Sequence, residues 1–218
     1  MKTEHKDRRS TRLPYYDYTT PGAYFVTICT LNHECLLGQI VNGIINLNSI
    51  GRIVSEEWVK TANFRPYVEI DSYIVMPNHL HGIIILRENH HRRDTARRVP
   101  TTEQFSKPIA GSLPTVIRSF KSAVTKRVNI LQGTPGKRLW QGRYYEHVIR
   151  NSEDLNRLRE YIITNPSRWS FDRENPESQG HGAPSSCYQP APASLPARAR
   201  LFSSRLISSS IIFGFSAV

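Results

Sequence analysis

The sequence predicts an α+β domain in which a central antiparallel β-sheet is covered by helices on one face. Three observations carry this. Runs of strand length rich in β-branched and aromatic residues recur at 23–30, 68–75 and 79–86. Stretches with helical spacing of apolar residues occupy 49–64, 113–131 and 152–165. Between Gly38–Val41 and Ile44–Leu47 stands Asn42-Gly43, the pair that a tight hairpin turn requires.

The first strand, Ala23-Tyr24-Phe25-Val26-Thr27-Ile28-Cys29-Thr30, is entered from a Pro21-Gly22 turn. The hairpin follows, and Asn48 or Ser49 then caps a helix through about Phe64, with Ile50, Ile53, Val54, Trp58 and Val59 at helical spacing. Val68 to Val75 reads as a strand that Met76-Pro77-Asn78 interrupts. His79 to Leu86 is a second strand, apolar enough to be central. Residues 87–112 read as a charged loop with Pro100 and Pro108. Leu113 to about Leu131 is a helix with Val116, Phe120 and Val124 on one stripe. After a turn at Gly133 to Lys137, Arg143 to Ile149 is a strand. Asn151 or Ser152 caps the last helix, Glu153 and Asp154 lie in its first turn, and Pro166 terminates it.

A chain of 218 residues and 25.0 kDa fits one domain with appendages. Residues 1–22 form a basic N-terminal arm, 23–172 the domain, and 173–218 a tail. Residues 177–218 hold ten Ser and four Pro and predict disorder. No apolar run reaches the roughly 18 residues of a membrane span, and the charged start resembles no secretory signal. Three cysteines without a Cys-x-x-Cys pair argue against a disulfide scaffold or a thiolate zinc site and suit a reducing cytoplasm. The formal charge of +11 is concentrated: residues 87–150 carry 14 basic and 4 acidic side chains, whereas residues 1–86 carry 8 of each. Such a block points to a polyanion, because every Lys or Arg that meets a phosphate releases condensed counterions. Arg92, Arg93, Arg97, Arg98, Arg118, Lys121, Arg127 and Arg143 are its candidate contacts, with Arg8, Arg9 and Arg12 as a second surface.

Chemistry centres on His79 and His81. Two apart on a strand, their imidazoles project from one face while Leu80 points into the core, which makes half of a metal site. Imidazole donors taken alone lean toward zinc or another transition ion. On the last helix Tyr161 and Asn165 are four apart and share a face. Tyr144 and Tyr145 are adjacent on a strand, so at most one faces the site, and either can stack on a base. His147 reads as structural, His90-His91 as part of a solvated segment, and Cys29 as a small core residue.

With these residues in view, Met76-Pro77-Asn78-His79-Leu80-His81-Gly82 resembles the His-hydrophobic-His (HUH) motif of single-tyrosine transposases. Trp140 to Asn151 and Glu160-Tyr161-Ile162-Ile163-Thr164-Asn165-Pro166 resemble the C-terminal signature of REP-associated tyrosine transposases. The resemblance runs from about Arg8 to Trp169 and leaves out the tail. It implies a ferredoxin-like HUH nuclease fold that cleaves and rejoins single-stranded DNA near hairpin repeats. It also implies Tyr161 as nucleophile, a 5′-phosphotyrosine intermediate, and Mg²⁺ or Mn²⁺ held by His79, His81 and Asn165. Related insertion-sequence enzymes often carry Gln at the position of Asn165. Relatives of both kinds leave open a homodimer or a monomer. Two other readings stay beside this one: a non-catalytic hairpin-DNA-binding protein on the same fold, and an RNA-binding ferredoxin-like module.

Overall fold

Strand β1, Gly22–Cys29, alternates its side chains across the sheet, sending Tyr24, Val26 and Ile28 to one face and Phe25, Thr27 and Cys29 to the other. A computed structural model describes residues 13, 16–88, 109–172, 174–176 and 188–189. In chain order β1 is followed by a hairpin, β2 (Gly38–Val41) and β3 (Ile44–Leu47), then α1 (Ser49–Asn63), β4 (Val68–Val75) and β5 (His79–Leu86). There follow α2 (Leu113–Gln132), β6 (Tyr145–Ile149), α3 (Ser152–Thr164) and the two-residue β7 (Tyr188–Gln189). Short 3-10 helices lie at Leu31–His33 and Asn165–Phe171.

The main sheet has the order β4-β5-β1-β6, and each neighbouring pair is antiparallel. With the hairpin set aside, β1-α1-β4-β5-α2-β6 in that order is the ferredoxin-like arrangement. The α+β class and the antiparallel sheet are therefore as expected. Local chemistry sets the boundaries. Asn42 and Gly43, at φ of 55° and 74°, make the hairpin turn. Asn48 accepts from the amides of Ile50 and Gly51, and Asn151 from that of Asp154. Gly133, left-handed at φ 64°, closes α2.

Helices α1 and α2 cover the face of Tyr24, Val26, Ile28, Leu80 and Ile84, and with Val54, Trp58, Phe120 and Val124 they form the larger core. At Gly82 an added Cβ would lie 2.4 Å from the Trp58 ring, so α1 presses directly on the β5 backbone. The third helix departs from the expectation that helices share one face. It lies across the opposite face, with Leu158 and Ile162 against Phe25, Ile83 and Ile149. An amphipathic stripe says that a helix is buried, not against which face. Here the second apolar surface of β1, β5 and β6 is what receives it.

The chain does not end its helical course at Pro166. Proline is tolerated in a first turn, and a 3-10 helix runs on to Phe171, where Trp169 packs with Ile40 and Met76. Residues 174–176 also belong to the body rather than to a tail, since Asn175 is buried and bonds the Trp169 carbonyl. The hairpin forms a separate small sheet, in which β7 pairs in parallel with β2. Cys29 is a free thiol, whereas Cys35 is disulfide-bonded, which the odd cysteine count did not anticipate. Among the described residues no helix is long and apolar enough to cross a membrane.

Candidate active site

The turn Met76-Pro77-Asn78 delivers β5 with both histidines on the α3 face, and both are buried. Asn78 determines how the first one presents itself. Its Nδ2 donates to the carbonyls of His33 and Glu174, which leaves Oδ1 as the acceptor 2.8 Å from His79 Nδ1. The His79 proton is therefore on Nδ1, and the Nε2 lone pair faces the site. His81 is held at Nδ1 by the Thr27 hydroxyl, 2.9 Å away. The two Nε2 atoms are 2.9 Å apart. Burial, then the neighbouring imidazole, lowers the pKa of His79 and keeps it neutral.

Asp172 carries no signal in the sequence. It stands just past the 3-10 helix, buried, with Oδ2 at 3.9 Å from His81 Nε2 and Oδ1 accepting from the Glu174 amide at 2.7 Å. Burial would raise its pKa. The imidazoles, the Glu174 amide and Asn165 outweigh this and hold the carboxyl well below the usual aspartate range. Ligand atoms of His79, His81 and Asp172 all lie within 4.8 Å of one another, the geometry of a metal-binding group. Asn165 is beside them: its Nδ2 donates to Asp172 Oδ2 at 2.8 Å, and its buried Oδ1 has no hydrogen-bond partner among the described residues.

Tyr161 reaches the same point from α3. Its hydroxyl is 3.2 Å from His81 Nε2, and its ring meets Phe25 and His81 edge-on at 6.0 and 5.1 Å. One side of it stays open, toward a cavity of about 690 Å³ lined also by Thr27, Tyr145, Arg157, Arg168 and Asp172. The adjacent tyrosines diverge as alternation requires. Tyr145 faces this cavity, while Tyr144 packs against the α2 side and lines a second cleft. Strand β6 starts at Tyr145, so Arg143 and Tyr144 precede it.

The basic residues separate into groups. Arg118, Lys121, Lys126, Lys137 and Arg138 line the second cleft, about 620 Å³, between α2 and residues 136–142. Lys121 is turned inward: its ammonium donates to the carbonyls of Gln141 and Arg143, and burial pulls its pKa down to about 8. Arg127 is spent on α1, bonding Glu57 at 2.7 Å and Glu56 at 2.8 Å. Arg143 is exposed near the cleft. Arg92, Arg93, Arg97 and Arg98, with His90-His91 and the arginines of the N-terminal arm, lie outside the described residues. His147 bonds Asp154 at 2.7 Å and ties β6 to the start of α3. Arg157 and Arg168, which line the Tyr161 cavity, had no signal in the sequence beyond their charge.

A protein of Haemophilus influenzae, itself uncharacterized, is 37% identical over 171 residues, covering 76% of this chain and 92% of its own length. The chain belongs to the same family as that protein. It is also similar to a REP-associated tyrosine transposase of Escherichia coli, 26% identical over 157 residues that span 72% of this chain and 73% of that one. A solved structure of a REP-associated tyrosine transposase bound to a REP hairpin aligns at a TM-score of 0.47 and 23% identity, over 72% of this chain and 74% of that one. No protein-family model matches.

Proposed function

We propose that the chain is a metal-dependent transposase of the HUH single-tyrosine type that cleaves and rejoins single-stranded DNA near hairpin repeats, acting in the cytoplasm. One observation carries the reading: a half-open tyrosine hydroxyl stands 3.2 Å from the second histidine of a buried two-histidine, one-aspartate cluster. The transposase similarity and the basic cleft support it.

The donor set fits a divalent ion. His79 offers an Nε2 lone pair, Asp172 is held ionised, and Asn165 Oδ1 is a buried carbonyl oxygen without a hydrogen-bond partner among the described residues. His79, His81 and Asp172 would hold the ion, with Asn165 as a further ligand. Two imidazoles favour Mn²⁺ over Mg²⁺. When bound, the ion supplies charge that polarises a phosphoryl oxygen.

The chain's own residues do the rest. Tyr161 Oη attacks the scissile phosphorus, the bond to the 3′-oxygen breaks, and a 5′-phosphotyrosine and a free 3′-hydroxyl result. A free phenol has a pKa of about 10 and is a weak nucleophile at neutral pH, so placement matters. Phe25 and His81 wedge the ring so that Oη points at the cluster. Tyr161 is 38% exposed, so water can take its proton. Arg168 and Arg157, the latter also paired with Asp154, line the cavity where they can meet phosphates, and Tyr145 can stack on a base.

The test is a denaturing gel for a covalent adduct between the chain and single-stranded DNA from hairpin repeats flanking its own gene, with Mn²⁺ or Mg²⁺. A metal-dependent adduct is expected. Tight hairpin binding with no adduct would overturn the catalytic reading in favour of the non-catalytic one.

A further inference from the structure

The α3 face carries a second group of ligand atoms, a short way along the sheet from the first. Cys29 is the last residue of β1 and the register partner of His79 on β5. Its Sγ lies 3.4 Å from Glu174 Oε2, and that same oxygen lies 3.1 Å from His33 Nδ1. All three ligand atoms fall within 4.8 Å of one another. We propose that Cys29, His33 and Glu174 form a second metal site, for a zinc-like divalent transition ion, distinct from the one beside Tyr161.

The separations suit such an ion. Bonds of about 2.3 Å to sulfur and about 2.0–2.2 Å to nitrogen or oxygen, at tetrahedral corners, place ligand atoms roughly 3.3–3.6 Å apart. The observed 3.4 and 3.1 Å need only small adjustment. A thiolate, an imidazole and a carboxylate select a borderline-soft ion rather than Mg²⁺. Cys29 is buried, whereas His33 and Glu174 are partly exposed and leave a way in for the ion and for a water at the fourth corner. Binding replaces the thiol proton with the metal bond and releases that proton to solvent. Without metal, burial and the adjacent Glu174 carboxylate push the thiol above its ordinary pKa and keep it protonated. This site departs from the expectation, drawn from the absence of a Cys-x-x-Cys pair, that no thiolate zinc site is present; a site with a single thiolate needs no such pair.

The two groups share their supports. The Glu174 amide bonds Asp172, and Asn78 bonds the carbonyls of both His33 and Glu174 while orienting His79. An ion on Cys29, His33 and Glu174 therefore pins to β1 the segment that carries Asp172. The inference stands apart from the phosphotyrosine chemistry and survives if that chemistry fails.

Cobalt reports it directly. The full chain, stripped with a chelator and titrated with Co²⁺ alone, is expected to develop a thiolate-to-cobalt charge-transfer band in the near ultraviolet. The band should persist in a His79→Ala, His81→Ala double variant and vanish in Cys29→Ser. His33→Gln, on an accessible turn, should weaken cobalt affinity by about tenfold or more, and it serves if Cys29→Ser does not fold. No band in the native chain, an undiminished band in Cys29→Ser, or unchanged affinity in His33→Gln would overturn the proposal.

Discussion

On the α1/α2 face of the sheet, Tyr24, Val26, Ile28, Leu80 and Ile84 meet Trp58, Phe120 and Val124 in one continuous apolar core. On the α3 face, one residue along the same strands, Thr27, Cys29, His79 and His81 form a polar patch under Tyr161 and Asp172. The period of two makes this division possible, because each strand serves packing with one set of side chains and chemistry with the other. The chemical groups therefore borrow their rigidity from the packed face. The histidines stand on a strand whose reverse side is clamped by Trp58 at Gly82 and by Leu80 in the core.

If the faces divide labour in this way, substitutions on them should fail differently. The largest effect belongs to Tyr161→Phe. DNA cleavage and adduct should fall by at least about a thousandfold, while urea denaturation shifts by less than about 1 kcal/mol. An adduct that survives would move the nucleophile to Tyr145, the other tyrosine in the cavity. Next comes the reverse face. Gly82→Ala forces a Cβ into the Trp58 ring and should cost about 3 kcal/mol of stability. A stability close to that of the native chain would break the claim that the back of the strand is clamped.

Thr27→Val is smaller and sharper. It keeps the shape and removes the hydroxyl that holds His81 Nδ1. Cleavage should drop about tenfold to a hundredfold, with hairpin affinity unchanged in a filter-binding assay. The smallest effect concerns how α3 is fastened. Arg159, two residues before Tyr161, grips Asp71 on β4 with two hydrogen bonds. The hydrogen bond from Arg159 is the main cause that lowers the Asp71 pKa. A depressed carboxylate adds stability above its unfolded pKa of about 3.9 and loses it as pH falls through the folded value. Arg159→Ala should therefore cost about 1 kcal/mol or less near neutrality, and thermal melts should show the difference from the native chain fading as pH falls below the ordinary aspartate range. A constant difference across that range would assign the cost to lost packing.

Most of the fold was legible because its signals are local. Asn42-Gly43 specifies its turn, Asn48 and Asn151 their helix starts, Gly133 a helix end, and β5 falls at His79–Leu86 as its apolar run indicates. The pairing of His79 with His81 was legible for the same reason, since strand alternation needs no tertiary information. What was hidden depends on contacts far apart in sequence. Asp172 lies in irregular chain after Pro166, where no period marks it, and it joins His81 only because Trp169 folds the segment back. The placement of α3 followed from a second apolar surface rather than from its own stripe. Lys121 and Arg127 read as surface charges, yet their partners are backbone carbonyls and the α1 glutamates. Charge in a sequence says nothing about which of these it will meet.

The Tyr161 hydroxyl and the His81 nitrogen that it approaches belong to one polypeptide, 80 residues apart in sequence. The entropy of bringing them together is therefore met once, when the chain folds, and not again at each encounter. Dilution has no means of separating them. A mixture of Tyr161→Phe with His81→Ala chains should accordingly recover no cleavage.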